Sequence, residues 1–334
     1  MKANGSATAW QETETRPHQL RDEVLSAFRE TPRRLPSKLL YDQRGSMLFD
    51  CLCTLPEYYP ARAEAETVER HAGEIAAMLG PACTLFASGA RDGRSAQAFW
   101  DCRDDGRSRM SLKEHLWHLR GSNEATSHQH LRIVFHQSRL PPDAQAQRRI
   151  VYLPWCIVGS LRPSEINQLF AAAEKLYGQN GGVLLSLDLT RDARVLEQAY
   201  NDRLGIAAAF NLNILERLNR ELDCNFNLRW FQHRAFYDLR RRRTEMQVVS
   251  LRDQTVSIGG LCISLKAYET IQTARYYRNG LPGLARLAEA SGLRVKRVWF
   301  HEQGRFTVQY LEKAESCTTK DGRIREIGCP PSAR

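Results

Sequence analysis

Residues 182–187 (Gly-Val-Leu-Leu-Ser-Leu) are an almost unbroken apolar run. A run of that length without polar alternation is expected of a parallel strand covered on both faces. Such a strand needs neighbours, and the chain supplies them. Residues 83–87, 132–135 and 150–153 read as strands, and 164–177 carries the helical period between the last of these and 182–187. Alternation of strand and helix over about a hundred residues predicts an α/β chain with a Rossmann-like, doubly wound sheet. After 83–87 comes the turn Ala87-Ser88-Gly89-Ala90-Arg91-Asp92-Gly93, then a helical stretch at 95–100. Strand, glycine-containing turn and helix is the order in which such folds hold a cofactor.

The flanks have another character. Helical spacing runs over 18–29, over 38–53 and, after Pro60, over 61–79. Residues 192–222 are helical again. Short strands are expected at 236–237, 244–250, 256–258 and 261–265, the last two joined by Gly259-Gly260. A helix at 283–290 and a hairpin of 294–300 with 306–311 around Gln303-Gly304 close the chain. The pattern divides into a flexible start (1–19), one lobe from 20–60 and 192–278, a sheet core from 61–191 and 279–312, and a polar tail (313–334) expected to be disordered. A cleft between two lobes is the default place for a ligand.

Composition excludes several classes. With 42% hydrophobic and 26% charged residues in 334, this is not a disordered chain, a collagen or a disulfide scaffold. No run approaches the roughly 18 apolar residues of a membrane span, and the polar residues 1–15 lack the apolar region of a secretory signal. A cytoplasmic, non-membrane protein is expected. A net charge of +10 suits anionic small molecules or weak contact with nucleic acid but specifies neither. The nine cysteines are odd in number and include no C-x-x-C, so neither a zinc site nor a disulfide framework is expected. Glu114, His115, His118, His128 and His130 do not form a ligand set at metal spacing, and no metal is predicted.

Three blocks carry more information: LLYDQRGSMLFDCLCTLPEYYPARAE at 39–64, AAAFNLNILERLN at 207–219, and HRAFYD at 233–238 followed by Glu245-Met246. Together with 195–202, 252–256 and 269–271 they resemble the histidine Nα-methyltransferases of the ergothioneine pathway, over roughly residues 20–312. The resemblance implies a class I methyltransferase core with a seven-stranded, mostly parallel sheet, a separate α+β substrate lobe, and S-adenosylmethionine as methyl donor to an α-amine. It places Tyr41 as the catalytic tyrosine, and Tyr58, Tyr200 and Met246 on the substrate side. Methyl transfer needs a neutral amine lone pair aligned with the methyl carbon. Catalysis is then positioning plus removal of one proton, tasks within reach of phenols and water.

The chain departs from the family at both subsites. The first-strand acid is missing, and the glycine turn reads Ala87-Ser88-Gly89; a Cβ at Ala87 obstructs close backbone approach. Arg109 stands near the position of the ribose-binding acid, and Ser138-Arg139 replaces the pair beside the adenine. On the substrate side, Ser160 stands where the family has a carboxylate-binding asparagine, and Ala274 and Tyr276 replace its imidazole-binding glutamate and serine. Trp155-Cys156 occupies positions that are small in the family. These changes predict N-methylation of an amino acid or related small amine other than histidine. The alternative is an inactive pseudo-methyltransferase that binds no cofactor and serves a protein partner as a binding or regulatory subunit.

Overall fold

A computed structural model describes residues 17–80, 83–87, 111–112 and 148–314. Helices begin where the chain supplies a cap. The helical spacing of 38–53 is interrupted at Tyr41-Asp42, where a 3₁₀ turn (Ser37–Leu40) ends and α2 (Gln43–Thr54) begins. The Asp42 carboxylate accepts from Gly45 N at 2.7 Å, Asn213 Nδ2 at 2.7 Å and Arg220 at 2.5 Å. Burial alone would raise its pKa, but these donors outweigh burial and hold it below the usual value. A Cβ at Gly45 would lie 1.7 Å from the Leu40 carbonyl oxygen, so the joint admits only glycine there.

The stretch 192–222 is broken in the same way. α6 (Ala193–Tyr200) and α7 (Ile206–Leu222) are separated by a turn in which Asp202 accepts from Ile206 N (2.9 Å) and Ala207 N (2.7 Å). Both continuous helices expected from the periodicity are therefore two segments with an aspartate at the break. α3 (Tyr59–Leu79) starts two residues ahead of expectation, with Pro60 in its first turn.

The larger sheet has six strands among the described residues: β1 (Cys83–Ala87), β2 (Ser111–Leu112), β3 (Arg148–Leu153), β4 (Gly182–Asp188), β10 (Leu293–Phe300) and β11 (Phe306–Lys313). Their order is β10-β11-β4-β3-β1-β2. β2, β1, β3 and β4 are parallel, while β11 and β10 run antiparallel at the other side. The seven-stranded expectation stands at six within this set. The expected strand at 132–135, the helix at 95–100, Ser138-Arg139, the histidines between 115 and 130 and the tail beyond 314 lie outside the described residues.

Alternate side chains explain why the sheet is covered twice. Val151, Leu153, Val183, Leu185 and Leu187 pack with α5 (Pro163–Tyr177) and α8 (Leu281–Glu289). Ile150, Tyr152, Leu184, Val308 and Tyr310 pack with Val68, Ile75 and Leu79 of α3. All seven residues of β4 are buried. At about 1.5–3 kcal/mol for each fully buried aliphatic side chain, these layers hold the sheet between helices.

A second, antiparallel sheet has the order β5-β6-β9, from β5 (Phe231–Asp238), β6 (Arg243–Ser250) and β9 (Thr270–Tyr277). The hairpin of β7 (Gln254–Ile258) and β8 (Leu261–Leu265) turns through Gly259 and Gly260 at φ 54° and 85°, where glycine is at ease. Two elements have no counterpart in the sequence reading: β9, and the short helix α4 (Trp155–Ser160) that follows β3. α1 (Pro17–Arg29), α2, α7 and the second sheet share one core with Tyr58, Trp155, Tyr200 and Tyr276.

Candidate active site

Strand order reverses between β1 and β3, because β2 extends the sheet on one side of β1 and β3 pairs on the other. In open α/β sheets the ligand crevice lies outside the carboxyl ends of the strands at such a switch point. Ala87, Pro154, Trp155 and Asp188 stand at or just beyond those ends. The two breaks described above place Tyr41 between the 3₁₀ turn and α2 and Tyr200 at the end of α6, and the start of α3 adds Tyr58 on the same side.

They meet in a continuous group of rings. Tyr41 contacts Phe49 and Phe210 edge-on, with centroids 5.4 and 5.3 Å apart. Phe49 reaches Tyr58 at 6.0 Å, and Tyr58 meets Tyr200 edge-on at 5.7 Å. Tyr200 stacks on Tyr276 at 5.3 Å, and Trp155 lies 5.7 Å from Tyr276 and 6.2 Å from Tyr58. Burial raises the pKa of the Tyr41, Tyr58, Tyr200 and Tyr276 phenols, so all four are neutral at physiological pH. The hydroxyls of Tyr41 and Tyr276 face each other, and that of Tyr200 faces the Arg278 guanidinium. The Tyr58 hydroxyl is buried with no hydrogen-bond partner among the described residues. Neutral phenols orient an amine lone pair by hydrogen bonding rather than acting as phenolate bases.

Beside the rings lies a buried ion pair. Arg278 sits 2.7 Å from Asp188, their side chains 1% and 2% exposed. Tyr59 donates its hydroxyl to Asp188 at 2.6 Å, and Thr190 N donates at 2.9 Å. Burial by itself would lower the Arg278 pKa, but Asp188, Tyr59 and Tyr200 outweigh it and keep the guanidinium charged. Glu64, buried on α3, accepts from the Tyr152 hydroxyl (2.9 Å) and from Trp155 N (3.2 Å), fixing the start of α4. His233 Nε2 lies 2.8 Å from the Tyr200 carbonyl oxygen, and its Nδ1 lies 2.8 Å from Asn211 Nδ2. With the amide donating to Nδ1, the ring is neutral and donates through Nε2. Burial lowers its pKa in agreement.

Of the residues singled out from sequence, Tyr41, Tyr58, Tyr200 and Tyr276 converge. Met246 on β6 faces Ala274 on β9 in register, both within the same core. Ser160 donates its hydroxyl to Ile157 O at 2.8 Å, within its own helix. Ala87 ends β1, while Ser88, Gly89 and Arg109 lie outside the described residues. Phe49, Phe210, Tyr59, Glu64, Asp188 and Arg278 were not anticipated. Tyr59 lies inside the EYYP block and Asp188 directly follows the apolar run, and those were the available signals. Among the described residues no three His, Cys, Asp or Glu side chains form a metal-holding group, and no helix is long and apolar enough to cross a membrane.

Comparison with known proteins adds a family-level match. Residues 20–313 match the family described as histidine-specific methyltransferase, SAM-dependent. The histidine N-alpha-methyltransferase of Mycobacterium tuberculosis is 30% identical over 308 residues, covering 88% of this chain and 95% of that protein. Its counterpart in Mycolicibacterium smegmatis is 30% identical over 304 residues, covering 86% and 92%. The N-methyltransferase imqF of Aspergillus flavus is 19% identical over 328 residues, covering 88% and 86%.

Proposed function

Since this chain belongs to the histidine-specific, S-adenosylmethionine-dependent methyltransferase family, we propose that it methylates the nitrogen of an amino acid or related small amine other than histidine. The observation that carries this reading is the convergence of Tyr41, Tyr58, Tyr200 and Tyr276 at the carboxyl edge of the sheet, with the buried Tyr58 hydroxyl unpaired among the described residues. Ala274 and Tyr276 offer an imidazole no carboxylate, and the nearby carboxylates of Asp188 and Glu64 are already engaged. A buried imidazole N–H would go unsatisfied there.

The crevice at the β1/β3 switch point suits a nucleoside-bearing cofactor in position. Ala87, Ser88, Gly89 and Arg109 are the residues we assign to hold it. When bound, S-adenosylmethionine would supply an electrophilic methyl group, and the residues of this chain would align the amine lone pair with it and let the amine proton pass to water. In this reading 20–60 and 192–278 form the acceptor lobe, and 61–191 with 279–312 the cofactor core. Tyr41 orients the amine, Tyr58 and Tyr200 bind its polar head, and Met246, Ala274, Tyr276 and Ser160 bound the rest.

Calorimetric titration with S-adenosylmethionine and S-adenosylhomocysteine tests the reading. Micromolar binding, followed by methyl transfer to a small amine, is the expected result. A folded protein that binds neither at millimolar concentration overturns it.

A further inference from the structure

We propose that Tyr276 and Trp155 form a size filter, so that the acceptor at this site is an amino acid or primary amine whose substituent is smaller than an imidazole or phenyl ring. The proposal rests on the methyltransferase reading above for the chemistry, and on the ring geometry for the filter.

The cluster has an inside and an outside. Tyr58, Tyr200, Trp155 and Tyr276 are 0%, 1%, 3% and 4% exposed, while Tyr41 and Phe49 are half-buried. In this reading Tyr41 and Phe49 mark the side from which an acceptor reaches the inner four rings. The Tyr276 hydroxyl faces Tyr41 and that of Tyr200 faces Arg278, while that of Tyr58 has no partner among the described residues. A buried hydroxyl without a partner is costly. An amine or amino-acid head that bonds it recovers that energy on binding.

A substituent on the head has nowhere comparable to go. The face of Tyr200 toward Tyr276 is already stacked, at 24° between planes. Trp155 closes the side between Tyr276 and Tyr58. Both rings are packed on several sides. The backbone that carries Trp155 is anchored by its N–H on Glu64, Tyr276 lies inside β9 in register with Thr244, and a Cβ added at Gly159 would make ordinary contact with both rings, at 3.8 and 4.0 Å. A hydrophobic pocket discriminates about 10–200-fold per methylene, so an imidazole or phenyl substituent is excluded by more than one such step.

The experiment is titration of glycine, alanine, ethylamine, histidine and phenylalanine into the wild-type protein, Tyr276→Ala and Tyr276→Phe, with methyl transfer measured in parallel. Wild type is expected to bind alanine at least tenfold more tightly than histidine or phenylalanine. Tyr276→Ala should shrink that ratio at least tenfold, whereas Tyr276→Phe, which keeps the ring, should preserve it. If Tyr276→Ala does not fold, Trp155→Phe, which shortens the wall by one ring, should shift the ratio in the same direction. The filter is overturned if wild type binds histidine or phenylalanine as well as alanine, if the ring deletions leave the ratio unchanged, or if none of the five binds. A graded binding series without methyl transfer would instead sink the family chemistry and keep the filter.

Discussion

Tyr58 buries a hydroxyl that bonds to nothing among the described residues, and a group of that kind is tolerated for use rather than for folding. Replacing it by phenylalanine removes an unpaired polar atom and keeps the ring. Tyr58→Phe should therefore change folding stability by less than about 1 kcal/mol, or raise it. The acceptor KM should rise about tenfold, equivalent to ~1.4 kcal/mol. Thermal melts read the first effect and steady-state kinetics the second; a large loss of stability would mean the hydroxyl has a structural partner. His233 behaves differently. Its folded pKa lies below the ordinary value of 6.5 because burial disfavours the cation, with Asp202 and the Tyr200 carbonyl opposing that only in part. As pH falls below 6.5 the unfolded chain takes up a proton that the folded chain resists, so stability is present above that pH and lost beneath it. Protonation would also turn Nδ1 into a donor facing the Asn211 amide. His233→Asn should flatten the decline in melting temperature between pH 7 and pH 5.

At the scale of elements, the two helix breaks position Tyr41 and Tyr200, and each break is held by one carboxylate. Asp202→Ala removes the acceptor for Ile206 N and Ala207 N and should cost about 0.5–2 kcal/mol in urea denaturation. Because Tyr200 ends the helix before it, the acceptor KM should rise as well; an unchanged KM would mean the break does not position the ring. These breaks also show where sequence reading stops. The apolar period runs on through Tyr41-Asp42 and through 201–205, so it reports a buried stripe without reporting that the axis changes direction. Asp42, three residues before Gly45, was a capping signal in plain view, yet its force comes from Asn213 and Arg220, about 170 residues away. α4 is six residues long, too short for a period. β9 reads Thr-Ile-Gln-Thr-Ala-Arg-Tyr-Tyr, with an arginine and a glutamine among its apolar residues; it is a strand because β6 pairs with it along its length. β4, by contrast, needed nothing beyond its own residues, since every one of them is apolar or small until Asp188.

For the whole molecule, the Asp188–Arg278 pair is a strut. Asp188 ends the central strand of the larger sheet and Arg278 directly follows β9 of the smaller one, with Tyr59 of α3 completing the joint. Ninety residues separate the two charges in the chain, and no local pattern links them. Asp188→Asn would leave a guanidinium buried without its counter-ion and should destabilise the fold by about 3–5 kcal/mol. The double variant Asp188→Asn, Arg278→Met should recover much of that loss, and denaturant midpoints of the three proteins measure the coupling. The tyrosine motifs told of a site because they are contiguous in sequence. The strut that sets the two sheets against each other is visible only in three dimensions.

β11 lies beside β4, inside the sheet, although it is the last described strand to leave the ribosome. Until residues 306–313 emerge, β4 presents an unpaired edge whose side chains are apolar on both faces. An edge of that kind is a template for pairing with another chain. Synthesis of this protein therefore passes through a long interval in which most of the polypeptide exists but its central strand is open.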